Sequence, residues 1–173
     1  MSQKVLEINQ KKVKVNICDT SGQERFANIA PVFYRGAQGV LLVYSISDRK
    51  SFENIQFWMS QIHDMAPKDI RKVLVASKYD LEGQGDHVSS LEGKELAQSF
   101  GIKFFETSAK KDIQVKEPFY AITQEIVDHI CDGKEHRGIL KGTESTVCET
   151  NQSKTILIEK LKTPPVEKKS GCC

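Results

Sequence analysis

The residues from Asp19 to Gln23, Asp-Thr-Ser-Gly-Gln, combine side chains that could handle a phosphorylated ligand. An aspartate at the carboxyl end of a strand can hold a hydrated Mg²⁺ ion, because ligands bind at that end of a doubly wound sheet. Gly22 lets a backbone N–H group approach a phosphate closely, and the Gln23 amide can orient a water molecule. Taken residue by residue, the same string is also typical of a simple turn. Its chemistry therefore depends on the elements that position it.

The length of the chain indicates one domain with an appendage. The chain has 173 residues, of which 39% are hydrophobic and 28% charged, values that are typical of a globular domain. The 25 Lys and Arg residues nearly balance the 23 Asp and Glu residues, so the net charge is only +2. This weak balance argues against a nucleic-acid partner.

The five cysteines indicate neither a disulfide framework nor a zinc site, because their number is odd and no C-x-x-C spacing occurs. A reducing cytosol is the default compartment. The longest apolar run, 40–44, is far shorter than the roughly 20 residues that cross a bilayer. The first ten residues lack the apolar stretch of a signal peptide. Any membrane association is therefore expected from the last two residues.

Several apolar patterns predict strands. Alternating apolar residues over 4–17, around a polar turn at 9–12, predict a β-hairpin. The nearly unbroken aliphatic runs at 39–44 and 73–76, and a weaker one at 103–105, are typical of strands that are buried on both faces of a parallel sheet.

Between these strands, apolar residues recur with the period of a helix. A first helix is predicted over about 48–66, before Pro67, with Phe52, Ile55, Met59, Ile62 and Met65 on one face. Ser89 and Glu92 form a capping box and Gly101 marks a stop. A third helix tolerates Pro118 in its first turn. The apolar residues of the second and third helices are Leu91, Leu96, Ala97, Phe100, Phe119, Ile122, Ile126 and Ile130.

Strands that alternate with helices predict an α/β doubly wound domain, which we assign to residues 1–131. The periodicity stops after Ile130, and residues 132–173 are rich in Thr, Ser, Glu and Lys. These residues are predicted to form a flexible tail. The tail carries the net charge of +2, since its eight basic residues exceed its six acidic ones.

Four strings, in order along residues 2–131, resemble small GTPases of the Rab type. Residues 19–26, DTSGQERF, resemble the family's DTAGQERF, and FYRGA at 33–37 resembles YYRGA. SKYD at 77–80 resembles N-K-x-D, and ETSAK at 106–110 is identical to the family's string. The resemblance implies the P-loop NTPase fold of a G domain, with GTP or GDP and Mg²⁺ as ligands.

The resemblance also implies roles for individual residues. Asp80 would accept hydrogen bonds from guanine N1–H and the 2-amino group, which adenine cannot donate there. Lys78 would cover the base, and the Ala109 N–H group would donate to guanine O6. Gln23 would position the attacking water and Asp19 would hold Mg²⁺ through water. The expected nucleotide-binding set is Asp19, Gly22, Ser77, Lys78, Asp80, Ser108, Ala109 and Lys110.

Three residues depart from the family's strings. Ser21 replaces an alanine, a small change that leaves Gly22 free to turn. Ser77 replaces an asparagine whose amide ties neighbouring loops, so weaker nucleotide binding is expected. Cys18 replaces a tryptophan of the family's effector surface, together with which Phe33 would pack, so a different choice of effector is expected.

The phosphate-binding string G-x-x-x-x-G-K-[ST] occurs nowhere in the 173 residues. In the family it follows a first strand that lies centrally, between the strands that correspond here to 13–18 and 39–45. Without that strand a gap of two inter-strand spacings, about 9–10 Å, is expected. The strands at 13–18 and 39–45 are then expected to pair directly or to expose unpaired edges. The chain is thus expected to resemble a truncated G domain with impaired nucleotide binding.

The chain ends in Cys172-Cys173. The two thiols could be incidental, but Rab proteins commonly end in two cysteines that carry geranylgeranyl groups. Two lipid chains anchor a protein stably, whereas one does so only marginally. Lys160, Lys162 and the pair at 168–169 add a weaker electrostatic attraction.

The sequence leaves three hypotheses about the function of the protein. The first is a Rab-like GTPase, a switch in vesicle and membrane traffic on the cytoplasmic face of an intracellular membrane, with a cytosolic pool. Its partners would be effectors, regulators, and the prenylation escort and transferase. The second is a prenylated interaction module without catalysis. The third is an incomplete gene record or a fragment that is not expressed.

Overall fold

A six-stranded sheet forms the centre of the fold in the computed structural model of the chain, which describes residues 2–22, 34, 36–83, 87–135 and 154–161. The strands are β1 (Ser2–Ile8), β2 (Lys11–Gly22), β3 (Gly39–Ser45), β4 (Arg71–Ser77), β5 (Lys103–Glu106) and β6 (Lys154–Leu161). The helices are α1 (Arg49–Met65), α2 (Ser90–Ser99) and α3 (Glu117–Glu135), with a short 3₁₀ helix at Tyr79–Leu81. The predicted α/β class with a parallel sheet is confirmed.

The predicted hairpin is formed by β1 and β2, which pair antiparallel from Ser2↔Ile17 to Ile8↔Lys11. Its turn is tighter than the sequence suggested, because only Asn9 and Gln10 lie outside the strands. Both residues have positive φ, 50° and 61°, as the mirror-image turns that join twisted strands require. The polar pair therefore closes the hairpin, and both lysines that follow belong to β2.

The strand order is β1-β2-β6-β3-β4-β5, and β6 lies parallel to both of its neighbours. The expectation that β2 and β3 pair directly or expose unpaired edges is wrong, because β6 stands between them. The expectation of a flexible tail over 132–173 is wrong for 154–161, which form this strand, while α3 extends to Glu135. No local pattern in the sequence around 154–161, where charged residues are frequent, shows which distant strands this segment pairs with.

Helices cover both faces of the sheet, as a doubly wound fold requires. Alternate residues of β3 enter different clusters, since Val40 and Leu42 pack with α1 and α2 whereas Leu41 packs with α3. The cluster on the α1 and α2 side includes Tyr44, Ile55, Trp58, Ile62, Leu74 and Ala97. The other cluster includes Ile8, Val13, Val15, Val73, Ile122, Ile126 and Val127.

The predicted helices form, with two differences in which residues they bury. In α1 the buried residues include Trp58, which the periodicity did not single out, whereas Met65 at the end of the helix is 38% exposed. In α2, Leu91 is 64% exposed because it lies in the first turn, away from the sheet. Among the described residues, none of the helices has the length and apolar character that crossing a membrane takes.

An ion pair joins the beginnings of α1 and α2. Ser89 and Glu92 form the predicted capping box, and the Arg49 guanidinium donates to the Glu92 carboxylate. The Arg49 contact and the Ser89 hydrogen bonds lower the pKa of Glu92 to about 2. Glu92 therefore stays ionised across the physiological range and serves two contacts at once.

Gly93 allows α2 to lie close against the side chains of Tyr44 and Phe104. A Cβ atom at this position would meet the Tyr44 hydroxyl and approach within 2.6 Å of the Phe104 ring. The Tyr44 hydroxyl is buried and has no hydrogen-bond partner among the described residues, and burial raises the pKa of Tyr44. Tyr44 thus contributes its ring, which packs edge-on against Phe52, while its oxygen occupies space beside Gly93.

We predict that Gly93→Ala lowers the free energy of unfolding by about 1–3 kcal/mol through overpacking, although alanine favours an exposed helix by about 1 kcal/mol. In a Tyr44→Phe background the cost should fall by at least about 0.5 kcal/mol, since the crowding oxygen is gone. Urea denaturation of the four proteins measures this coupling. Gly36→Ala is the control, because a Cβ atom there meets nothing within 4 Å. Equal costs in both backgrounds would contradict the predicted crowding.

Candidate functional site

The loops that follow β4 and β5 meet at the carboxyl edge of the sheet. These strands are parallel neighbours, paired from Val73↔Lys103 to Ala76↔Glu106. Beyond them, the Thr107 N–H group donates to Ala76 O (2.7 Å), and the Tyr79 N–H group donates to Thr107 O (3.0 Å). These backbone bonds extend the strand pairing into the loops and hold residues 77–80 against residues 107–110.

Lys78 begins the short 3₁₀ helix in an unusual backbone conformation. Its φ of 61° is in the left-handed region that non-glycine residues seldom adopt. The Lys78 carbonyl accepts a hydrogen bond from Leu81 N (2.9 Å), which closes the turn around Asp80. Such conformations cost about 1–3 kcal/mol and are common at functional sites.

Asp80 is held by Ser108, whose hydroxyl donates to Asp80 Oδ1 (2.6 Å). Ser108 is itself buried, accepts from Lys111 N (3.2 Å) and pairs with Ile113 through backbone hydrogen bonds. The Ser108 hydrogen bond, with smaller contributions from the Asp80 N–H group, Lys110 and Lys111, lowers the pKa of Asp80, although burial opposes the shift. The site therefore presents an ionised carboxylate at neutral pH.

A cleft of about 670 Å³ opens beside this carboxylate. Leu41, Val43 and Val75 form an apolar wall, and Leu81, Val115, Pro118 and Phe119 add further apolar lining. The polar and loop residues that line the cleft are Ser77, Lys78, Asp80, Thr107, Ala109 and Lys110. A ligand that is planar and carries adjacent N–H donors at one edge would fit both parts.

Ser77 lines this cleft but bonds elsewhere. Its hydroxyl donates to the Tyr44 carbonyl (2.7 Å), and its carbonyl accepts from Ile46 N (3.0 Å). The sequence predicts that serine here lacks the amide by which the family's asparagine ties neighbouring loops. The Ser77 hydroxyl joins the ends of β4 and β3.

Asp19 and Gly22 lie on β2, apart from the cleft. Asp19 is exposed, and Gly22 is the last residue of β2, opposite Leu161. Three strand spacings, about 14 Å, separate β2 from β4 in the sheet. The predicted site residues Gln23, Cys172 and Cys173 lie outside the described residues. Within the described part of the chain, no three His, Cys, Asp or Glu side chains gather as a metal site would require.

Sequence reasoning found the polar residues of the cleft but not its apolar wall. Leu41 and Val43 looked like any buried strand, and Val115 and Phe119 belong to a loop and a helix that follow the recognised strings. The alternation of β3 between two faces is the signal that places Leu41 and Val43 together. Which face borders a cleft becomes apparent only when the covering elements are known.

Comparison with known proteins identifies a family model and several relatives that match most of this chain. The sequence model of the Ras family matches residues 1–128. Ras-related protein RAB1BV of Beta vulgaris is 42% identical over 129 residues, covering 75% of this chain and 60% of that protein. Ras-related protein Rab-8A of Gallus gallus is 39% identical over 153 residues (87% and 73%), and RABE1d of Arabidopsis thaliana is 36% identical over 170 residues (98% and 74%). The chain therefore spans about three fifths to three quarters of these relatives' lengths.

We predict that Ser108→Ala raises the pKa of Asp80 toward its ordinary value, because the largest stabilising contact of the carboxylate is lost. Carbon-detected NMR titration of the Asp80 carboxyl measures it. A lowered folded-state pKa stabilises the protein above the unfolded pKa, and this stabilisation disappears as the pH falls through the folded value. The difference in the free energy of unfolding between wild type and Ser108→Ala should therefore shrink as the pH falls.

The matched control is Thr107→Val, since the Thr107 hydroxyl donates to Ala76 O and not to Asp80. It should leave the titration of Asp80 in place. An unchanged Asp80 pKa in Ser108→Ala would contradict the assigned role of Ser108.

Proposed function

Because this chain belongs to the Ras family and is a Rab-type small GTPase, we propose that its carboxyl-edge cleft recognises the guanine base of GDP and GTP. The observation that carries the proposal is the ionised Asp80 carboxylate, held by Ser108 beside an apolar wall. Asp80 accepts from guanine N1–H and the 2-amino group, and adenine offers no such pair of donors. The Lys78 stem covers the base, and Ala109 N–H donates to O6.

The phosphate part of the ligand has less support in these residues. The 173 residues contain no G-x-x-x-x-G-K-[ST] string, whose backbone N–H groups and lysine bind phosphates in this family. Asp19 offers a carboxylate of the kind that Mg²⁺ prefers, but among the described residues it belongs to no group of three His, Cys, Asp or Glu side chains. Bound Mg²⁺ would neutralise phosphate charge, and Asp19 would hold the ion through water. The Gly22 N–H group would approach a phosphate, and the Gln23 amide would orient the attacking water. We therefore propose that this chain binds nucleotide weakly.

In the cell we propose a role in vesicle and membrane traffic, with effectors and regulators as protein partners. Cys18 replaces the aromatic residue of the family's effector surface, so the effector surface differs there. Geranylgeranyl groups on Cys172 and Cys173 would anchor the protein to the cytoplasmic face of an intracellular membrane, after presentation by an escort to the transferase. Two chains make this anchor stable.

A second candidate is a prenylated interaction module that does not hydrolyse GTP. The observation in its favour is β6, which completes the sheet with residues from the C-terminal part of this chain. The sheet is thereby continuous from β1 to β5 with strands of this chain alone. The strength of nucleotide binding distinguishes the two candidates.

We predict that GDP at millimolar concentration shifts the backbone amide NMR signals of 77–80 and 107–110, and that ADP does not. Asp80→Asn should weaken GDP binding by about 1.5–3 kcal/mol, the usual worth of hydrogen bonds to a charged group. Asp112→Asn, the same chemical change in the neighbouring loop, is the control and should leave binding unchanged. Equal responses to GDP and ADP would show that Asp80 does not read the base.

Attaching a Rab-type first strand, phosphate loop and first switch to the chain should tighten GDP binding by at least about 10³-fold, since phosphate affinity rests mainly on that loop. Fluorescent GDP displacement measures both proteins. Binding at micromolar or lower Kd by the 173-residue chain itself would contradict the proposed weakness and support the switch over the module.

For the membrane anchor, we predict that changing both Cys172 and Cys173 to Ser moves the protein from membranes to the cytosol of a eukaryotic cell. Changing one should leave partial, reversible binding, because a single lipid chain anchors only marginally. Cys148→Ser is the matched control and should have no effect. Fractionation, with mass spectrometry of the C-terminal peptide, measures this. An unmodified C-terminal peptide from wild type would rule out the anchor.

A further inference from the structure

The centre of the sheet is completed by a segment from the C-terminal part of the same chain. All of β6 pairs with β2, from Val15↔Lys154 to Gly22↔Leu161, and its middle pairs with β3, from Gly39↔Ile156 to Val43↔Lys160. The described residues of β2 and β3 do not pair with each other. Removing β6 would therefore leave a gap of two strand spacings, about 9–10 Å, with unpaired N–H and C=O groups on both sides.

The gap suits an extended strand that is apolar on both faces. On the β3 side Val40, Leu41 and Leu42 are buried. On the β2 side Ile17 and Cys18 are half-buried and pack into the clusters on opposite faces of the sheet. Strands in such positions are nearly continuous aliphatic runs. Ile156-Leu157-Ile158 is the longest aliphatic run in 132–173, and the register places it opposite Ile17–Asp19 and Gly39–Leu41.

The fit is incomplete at the carboxyl half of β6. Glu159 and Lys160 stand at the register positions of Leu42 and Val43, in the middle of the most buried strand. Charged residues are rarely placed in a central strand, because their desolvation costs free energy. A strand with three apolar residues followed by two charged ones is held more weakly than a permanent core strand.

We propose that the gap between β2 and β3 is a binding site for one extended peptide strand, and that its ligand is segment 154–161 of this chain, bound reversibly. Parallel backbone pairing on two sides supplies the affinity, and the aliphatic run supplies the specificity. The occupied gap protects β2 and β3 from pairing with other chains. This inference does not rest on nucleotide binding.

Docking of the segment also shortens the reach of the chain's last residues. Cys172 is eleven residues beyond Leu161, so it lies within about 40 Å of the carboxyl edge when β6 is docked. With 154–161 released, the tether runs from Glu135 over 37 residues and reaches about 130 Å. The state of the gap thus sets how far the two terminal cysteines can extend from the body.

A disulfide tests the docked register in the full chain. Cys18 stands opposite Leu157 across the β2–β6 pair, and neighbouring strands, about 4.8 Å apart, lie within the Cα range of disulfides. In a chain whose other four cysteines are Ser, Leu157→Cys should form an intramolecular bond with Cys18 under mild oxidation. Ile156→Cys and Ile158→Cys are the controls, because alternate residues face opposite sides of a sheet, and both should react at least about tenfold more slowly.

Hydrogen exchange tests binding and reversibility in a second way. Leu157→Pro removes an N–H group from the ladder and should lower protection of the β2 and β3 amides by at least about tenfold, without affecting the β4–β5 pairs. Lys168→Pro, beyond β6, is the control. Free peptide of the sequence KTILIEKL should restore protection in Leu157→Pro, and a scrambled peptide should not.

Equal oxidation rates at 156, 157 and 158, together with unchanged exchange in Leu157→Pro, would overturn the proposal. Disulfide-linked dimers in place of the intramolecular bond would also overturn it, because the occupant would then be a second copy. Failure of the free peptide to restore protection would show that the gap does not bind a strand reversibly.

Discussion

Backbone hydrogen bonding through the middle of the sheet is the constraint on which the remaining structure depends. Both faces of β3 are covered by helices, so its N–H and C=O groups must find partners within the sheet. On one side they find β4, and on the other they find β6. The need to satisfy the buried edges of β2 and β3 explains why a segment far along the chain, with three charged residues in it, occupies a central position.

The candidate site depends on the half of the sheet that is built from consecutive elements. The strands β3, β4 and β5 follow one another in the chain and in the sheet, with α1 and α2 as their crossovers. The loops after β4 and β5 are tied by backbone bonds, and Ser108 links them through the Asp80 carboxylate. The cleft proposed to bind a guanine base therefore needs no contribution from β2 or β6 to its polar side.

The other half of the carboxyl edge has a different origin. There β2 brings Asp19 and Gly22 to the edge, and β6 ends beside them at Leu161. Asp19 and Gly22, the residues proposed for the metal and the phosphate, thus lie next to β6. The docking of β6 is also what we propose to limit the reach of Cys172 and Cys173. A change in the occupancy of the gap between β2 and β3 would alter both surroundings together.

The sequence by itself determined the elements that depend on local physics. Alternation over 4–17 predicted the hairpin, aliphatic runs predicted β3, β4 and β5, and the Ser89–Glu92 capping box marked the start of α2. These features arise from side-chain periodicity and from bonds between residues three or four positions apart. The strings around Asp80 and Ala109 identified the polar side of the cleft through their resemblance to a known family, and they meet because they follow strands that end at the same edge.

Only the tertiary structure decided what depends on distant partners. The segment 154–161 has only the short aliphatic run at 156–158 as a local strand signal, and its pairing follows from two open edges more than a hundred residues away in the chain. Burial of Trp58, exposure of Leu91 and the contact between Ser108 and Asp80 depend in the same way on which surface each element meets. Local patterns specify how a segment can fold, but the space that it fills and the charge that it meets are set by elements elsewhere in the chain.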